Sequence, residues 1–87
     1  MLSMRDCLDY CDLTEEDVAL FAEHEHLSPH VAATMACGLV QTKEGISAFD
    51  HCLEDLLGDA MRCGEFAKAE HVLHVYTRFR TAHPLAQ

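Results

Sequence analysis

Long apolar runs are absent from the sequence. The longest stretch without a formally charged residue, Leu27 to Thr42, is too short and too rich in Ala, His and Thr to span a bilayer. The first residues carry no basic segment followed by an apolar one, so we expect no secretory signal peptide. No segment alternates between apolar and polar residues over a useful length, which argues against β-strands. These absences favour a helical protein that functions away from the membrane.

Basic residues are scarce and unevenly placed. Six Lys and Arg face fifteen Asp and Glu, and the formal net charge is −9. Residues 1–59 hold thirteen of the acids against only Arg5 and Lys43, whereas residues 60–87 hold four basic residues against two acids. An acidic body repels phosphate backbones, so we expect no binding to nucleic acid. The basic end of the chain is expected to lie against acidic neighbours or a second subunit, with an anionic-ligand patch as the alternative.

A disulfide framework is also missing. The five cysteines are an odd number and lie at helical positions, which favours free thiols and a cytoplasmic location. Cys37, Cys52 and Cys63 fall on or beside apolar stripes and are expected to fill the core. Cys7 and Cys11 share one helix face, where packing is the expected role and soft-metal binding or oxidation are alternatives.

Helix start and stop signals are clear along the whole chain. Thr14 and Asp17 have the spacing of a capping box, Ser28 and Pro29 suit the N-cap and first position of a helix, and Gly64 suits a left-handed C-terminal stop. We therefore predict a single all-α domain over residues 1–87, arranged as a small antiparallel bundle or orthogonal array of four main helices plus a short N-terminal helix. The main helices are predicted at Glu15–Glu25, from Pro29 to about Val40, from between Lys43 and Ser47 to Cys63, and at 65–81.

Apolar spacing predicts which helix faces are buried. The segment from Val31 to Val40 has no charged residue, so we expect the third helix to be buried on most sides at the centre of the domain. In the last helix the predicted stripe is Phe66, Ala69, Leu73 and Tyr76, widened by Val72, Val75 and Phe79.

Histidines and glutamates recur at spacings that could bind a metal ion. Glu23 and His26 form an E-x-x-H pair, and His30 follows across a tight turn. His51 and Glu54 repeat the three-residue spacing. Imidazole and carboxylate groups that converge from different helices could hold Zn²⁺ or iron. These five residues are the candidate metal ligands.

The same residues also have a purely structural interpretation. Glu23 and His26 lie on the flank of their helix, and His26 can cap its last carbonyls. Glu25 falls on the apolar stripe, near a helix C-terminus that disfavours a carboxylate, so we predict that it pairs with an imidazole or a helix N-terminus and fixes the bend between the second and third helices. His71 and His74 lie on a polar face that we expect to be solvated.

The sequence offers little support for catalysis. It contains no Gly-rich phosphate loop, no nucleophile elbow and no H-E-x-x-H helix. Pairs of Cys and His could still meet in space, so the sequence does not exclude catalysis, but it favours a protein that is not an enzyme.

Two resemblances can be read from the residues. "LLGDAMRCGEFAKAE", from Leu56 to Glu70, resembles the turn of a tetratricopeptide repeat, but it is one residue shorter between its glycines and has no second copy. "DLTEEDVALFAEHEHLSP", followed by an apolar helix and a "GEFAKAEHVL" ending, resembles a group of small, uncharacterised bacterial all-helical proteins. That resemblance implies a bacterial source and an all-helical fold, and it implies no activity.

The composition favours an interaction module over an enzyme. The thin core of a small domain, the opposite charge of the two chain halves, and Met35 and Met61 as adaptable apolar surface suggest a homodimer or another protein partner. The alternative is a metal-binding helical protein that uses the five candidate ligands. A third hypothesis is pH sensing, because protonating seven histidines near pH 6 would shift the formal charge from −9 to −2 (−9 + 7).

Overall fold

A computed structural model describes residues 4–84, without the side chains of residues 4, 5 and 7. This part of the chain folds into five helices that pack against one another, and it contains no strand. The all-α prediction is therefore confirmed. The helices are α1 (Met4–Tyr10), α2 (Glu15–Glu25), α3 (Pro29–Leu39), α4 (Lys43–Arg62) and α5 (Phe66–Ala82).

The predicted helix starts are confirmed in atomic detail. The backbone N–H of Asp17 donates to Thr14 Oγ1 at 3.1 Å, and the Thr14 N–H donates to Asp17 Oδ2 at 3.0 Å, which completes a capping box. Ser28 Oγ accepts from the Val31 N–H, with Pro29 in the first turn. These signals are local, so short stretches of sequence are enough to specify where α2 and α3 begin.

Left-handed residues shape three of the turns. Gly64 follows the C-cap of α4 with φ of 74°, as its lack of a Cβ favours and as predicted. His26 ends α2 with φ of 58°, and Asp12 has φ of 55° between α1 and α2. His26 thus caps α2 through its backbone, whose N–H donates to the Ala22 carbonyl.

Stacked aromatic rings occupy the centre of the core. Phe49 of α4 is completely buried, and its ring stacks on Phe21 of α2 at 5.1 Å and on Phe79 of α5 at 4.7 Å between centroids. His83 extends the stack, 4.7 Å from Phe79. We call these four rings the aromatic column. Such offset pairs stabilise beyond the area they bury, so α2, α4 and α5 are joined by their largest core side chains.

The prediction that α3 lies buried on most sides is wrong. One side of α3 contributes small core residues such as Ala32 and Ala36, which are fully buried against α1, α2 and α4. The other side is open, because Val31 and Met35 keep 45% and 46% of their surface exposed. The sequence predicted an apolar environment all round, but the domain provides neighbours on one side only.

The buried stripe of α5 also differs from the predicted one. Val72, Val75 and Phe79 face the core, whereas Phe66 and Leu73, placed in the centre of the predicted stripe, are 67% and 49% exposed. Both sets recur at helical spacing, and the pairing of α5 with α4 selects the set that contains the β-branched valines.

Candidate functional site

The first three candidate metal ligands lie in different surroundings. Glu23 Oε2 lies 2.5 Å from Lys68 Nζ, in an ion pair that joins α2 to α5. His26 is the exposed left-handed residue at the end of α2, and His30 is exposed in the first turn of α3. The E-x-x-H pair is therefore divided between a salt bridge and a helix end.

The other two candidate ligands lie on the surface of α4. His51 Nδ1 is 3.7 Å from Glu54 Oε2, with 71% of the His51 side chain exposed. Glu54 Oε1 also accepts a hydrogen bond from the Tyr76 hydroxyl at 2.8 Å. Burial, together with this hydrogen bond, raises the pKa of Tyr76 to about 12.

Among the side chains that the structure describes, no three His, Cys, Asp or Glu lie where they could hold one metal ion. The Zn or Fe site at Glu23, His26, His30, His51 and Glu54 stays a prediction. Elemental analysis of protein purified without a histidine tag tests it.

Glu25 pairs with an imidazole, as predicted, whereas its predicted role in fixing the bend between α2 and α3 stays a prediction. His24 Nδ1 lies 2.5 Å from Glu25 Oε2, and His24 Nε2 lies 3.3 Å from Asp55 Oδ2 on α4. Partial burial lowers the pKa of His24, whereas its interactions with the two carboxylates raise it. The carboxylates together have the larger effect, so the pKa of His24 is raised overall. We call these residues the His24 bridge; it joins the last turn of α2 to α4.

Two buried carboxylates were not identified from the sequence. Asp17 is 2% exposed and Asp50 is 6% exposed, and in each the Oδ1 atom lacks a hydrogen-bond partner. Burial raises the pKa of both carboxyls. Asp50 lies four residues after Ile46 and three before Leu53, so its place on the apolar stripe of α4 was a usable signal.

The buried polar groups of Asp50 are partly compensated from α5. The Tyr76 hydroxyl lies 3.3 Å from Asp50 Oδ2, and Arg80 Nε lies 3.8 Å from Oδ1. Arg80 also lies over the Tyr76 ring, 5.5 Å from its centroid. Asp50 therefore links α4 to α5. Its carboxylate gives Arg80, one of the basic residues of the last helix, an acidic neighbour, as the charge pattern predicted. Arg78 of the same helix also has an acidic neighbour, because it pairs with Glu16 of α2 at 3.0 Å.

The thiols divide between core and surface. Cys11, Cys37 and Cys52 are buried, and burial raises the pKa of Cys52 to about 12, which disfavours the reactive thiolate. Cys63 is exposed at the end of α4, so its predicted role as core filler is wrong. The Cys7 side chain, and with it the predicted shared face of Cys7 and Cys11, lies outside the described residues.

The open side of α3 is the candidate interaction surface. We call it the α3 outer face: Val31, Thr34, Met35 and Gly38, all exposed. No residue from 27 to 42 is formally charged, so this face is uncharged along its length. A Cβ built on Gly38 would have no neighbour within 4 Å, so the backbone is accessible there.

A second exposed apolar patch lies on α5 and differs in its surroundings. Phe66 and Leu73 are seven residues apart on the outward side of the helix. A shallow depression beside Leu73 is lined by Glu70, His71 and His74. His71 also lies 3.7 Å from Glu16. The α5 patch is therefore interrupted by titratable side chains, whereas the α3 outer face is not.

Within residues 4–84, no helix combines the length and apolar character needed to cross a membrane. No protein-family model, no curated protein and no solved structure matches the chain.

Proposed function

We propose that this protein is a self-associating interaction module, and that two copies pair through the α3 outer face. The observation that carries the proposal is the 45% and 46% exposure of Val31 and Met35 on a helix without a charged side chain. Helices that are apolar on all sides are ordinarily buried on all sides. A second copy would supply the missing cover.

Electrostatics favour the α3 outer face over the rest of the surface as the contact between two identical copies. Each copy carries a formal charge of −9, so two copies repel one another at most orientations. Repulsion at contact is smallest where neither surface carries a charge. The α3 outer face meets this condition, and the α5 patch, with Glu70 at its centre, does not.

The side chains of the face suit a two-fold contact. In a two-fold dimer the same patch contributes from both copies, so Met35 of one copy can pack beside Val31 of the other. Met adapts its shape to an irregular neighbour, and Gly38 allows a close approach of the backbones. Because α3 has 11 residues and is about 16 Å long, the buried area is small and we expect a weak, concentration-dependent dimer.

Sedimentation velocity on the wild-type chain and two matched variants tests the proposal. Met35→Lys places a charge in the α3 outer face and is expected to weaken the dimer at least about tenfold, which corresponds to about 1.4 kcal/mol. Leu73→Lys is the control, because it makes the same charge change at a side chain 49% exposed on α5, against 46% for Met35. Its dimer should match the wild type.

Each alternative outcome is informative. A wild-type chain that stays monomeric at high concentration would overturn the proposal. A dimer lost in Leu73→Lys and kept in Met35→Lys would move the interface to α5 and would overturn it equally. Circular dichroism of each variant confirms that the helices are intact.

A further inference from the structure

Two adjoining cavities flank the turn between α1 and α2. One has a volume of about 300 Å³ and extends to Arg78 and Phe79 on α5, and the other has a volume of about 320 Å³ and extends along α2. They share three lining residues: Asp9, Leu13 and Thr14. We call the pair the α1–α2 crevice. Its size lies near the lower end of the range for small-molecule pockets, about 300–1,000 Å³.

The crevice is strongly acidic. Asp9, Asp12 and Asp17 line the first cavity, and Glu15 and Glu16 line the second together with Asp9. The partial positive charge at the start of α2 is about half an elementary charge, and the end of α1 opposes it. These partial charges are small beside five carboxylates.

Among the side chains that the structure describes, Arg78 supplies the one guanidinium in the lining, and it already has partners. Arg78 donates to Thr14 Oγ1 and to Glu16 Oε1, each at 3.0 Å. It compensates one carboxylate and leaves an excess of negative charge facing the crevice. A cationic ligand would meet that excess without displacing a bond that the protein makes internally.

A buried acceptor in the same wall lacks its donor. Asp17 is only 2% exposed, and its Oδ2 accepts from the Thr14 N–H, but its Oδ1 has no hydrogen-bond partner. Leaving a buried acceptor unpaired is costly, more so for a charged one. Burial accordingly raises the pKa of Asp17, and a cation bound here would offset that cost.

His83 lies next to this region and shows the same deficit. Its Nε2 lies 2.8 Å from the Cys11 carbonyl, which can only accept, so Nε2 carries the hydrogen. In the neutral ring Nδ1 is then an acceptor, and it too is buried without a partner. Asp17 Oδ1 and His83 Nδ1 are therefore two buried acceptors without a donor, and of these two residues Asp17 lines the crevice.

The lining of the crevice suits an extended organic cation better than a single metal ion. Among the described side chains no three potential ligands converge on one point. Carboxylates instead line both cavities, and Leu8, Leu13 and Phe79 add apolar lining to the same two cavities. A methylene chain with a positive group at each end can contact both kinds of lining, the carboxylates through its ends and the apolar side chains through its middle.

We propose that the α1–α2 crevice binds a short linear diammonium ligand. One ammonium lies among Asp9, Asp12 and Asp17, the other lies near Glu15, and the methylene chain crosses Leu13. Alkyl ammonium groups have pKa values of about 10.4, like lysine, so both ends are charged at neutral pH. The site lies away from the α3 outer face, so it does not depend on self-association.

Isothermal titration calorimetry with 1,4-diaminobutane at low ionic strength is the direct test. Asp9→Asn/Asp12→Asn removes two charges from the crevice, and Asn tolerates the left-handed backbone of residue 12, whose φ is 55°. Affinity is expected to fall at least about tenfold in this variant. Asn at both positions leaves the capping box of Thr14 and Asp17 intact, and circular dichroism checks the fold.

The control variant separates a site from general attraction to an acidic protein. Glu44→Gln/Asp59→Asn removes the same two charges from exposed positions on α4 and should bind like the wild type. Butylamine, with one ammonium, should bind at least about tenfold more weakly than the diamine.

Three results would overturn the proposal: no heat on titrating the wild type, an equal loss of affinity in both double variants, or equal affinity for the mono- and diamine. The variant Met35→Lys should bind the diamine like the wild type, because Met35 does not line the crevice. The diamine proposal can therefore hold even if the self-association proposal fails.

Discussion

His24 joins two helices through two carboxylates of different elements. Its ring nitrogens reach Glu25 on α2 and Asp55 on α4, and 26% of its side chain is exposed. Because the pKa of His24 is raised, the folded state holds the ring proton more tightly than the unfolded chain does. The His24 bridge therefore stabilises the fold fully below the unfolded-state pKa of about 6.5, and that contribution disappears as the pH rises through the folded-state pKa.

We predict that His24→Gln lowers the melting temperature at pH 5.5 and has a smaller effect at pH 8.5. The expected loss at low pH is a few tenths to about 1 kcal/mol, since both carboxylates are solvent-exposed. Thermal unfolding followed by circular dichroism at the two pH values measures it.

His51→Gln provides the control for that experiment. His51 has 71% of its side chain exposed and lies 3.7 Å from a single carboxylate of its own helix, so its replacement should matter little at either pH. An equal loss at pH 5.5 and pH 8.5 in His24→Gln would contradict an electrostatic role.

At the scale of single residues, the sequence predicted the pairing of Glu25 with an imidazole but not the burial of the Asp17 carboxylate. The pairing of Glu25 with an imidazole followed from a local conflict, a carboxylate on an apolar stripe near a helix end. The burial of Asp17 was not predicted. The capping box predicts a hydrogen bond to one carboxylate oxygen, Oδ2, and says nothing about the surroundings of Oδ1. The burial of its other oxygen depends on packing between distant parts of the chain, which no local pattern contains.

At the scale of elements, the junction between α3 and α4 depends on a glycine. A Cβ on Gly45 would lie 1.8 Å from the Leu39 carbonyl oxygen, well inside contact distance. Thr42 caps α4 by accepting from the Gly45 N–H at 3.0 Å, so the turn is also constrained by a hydrogen bond.

We predict that Gly45→Ala destabilises the protein by about 1–3 kcal/mol, because the end of α3 must move away. Urea unfolding followed by circular dichroism measures the change. Gly38→Ala is the matched control: it lies inside α3 with no neighbour within 4 Å of the added Cβ, so it should be neutral or stabilise by up to about 1 kcal/mol. Similar midpoints for the two variants would contradict a steric role for Gly45.

Helix boundaries were predictable because their causes are local. The prediction of α2 at Glu15–Glu25 is confirmed at both ends, and Gly64 ends α4 as expected. The buried faces were less predictable. The stripe of Phe66 and Leu73 is as regular as that of Val72 and Phe79, and only the position of α4 decides between them. The open side of α3 was missed for the same reason, since the sequence of a helix does not state how many neighbours it has.

At the scale of the whole molecule, net charge should control self-association. If all seven histidines were protonated, the formal charge of each copy would change from −9 to −2, and repulsion between copies would fall. We predict that the dimer strengthens at least about tenfold between pH 7.5 and 5.5 at low ionic strength. Sedimentation velocity across this range measures it.

Salt provides the comparison for the pH experiment. Added salt at pH 7.5 screens the same repulsion and should strengthen the dimer in the same direction. Dissociation constants that do not change with either pH or salt would show that repulsion between the acidic bodies is not what limits pairing.

The aromatic column has a consequence for how the protein opens. Because α2, α4 and α5 each contribute a ring, no one of them can detach without exposing the rings of the others to water, so these three should unfold together as one cooperative unit. In contrast, α3 contributes no ring, and its fully buried side chains are alanines. Its amide hydrogens should therefore exchange with solvent earlier than those of the other three helices, and a partner that covers the α3 outer face should slow that exchange.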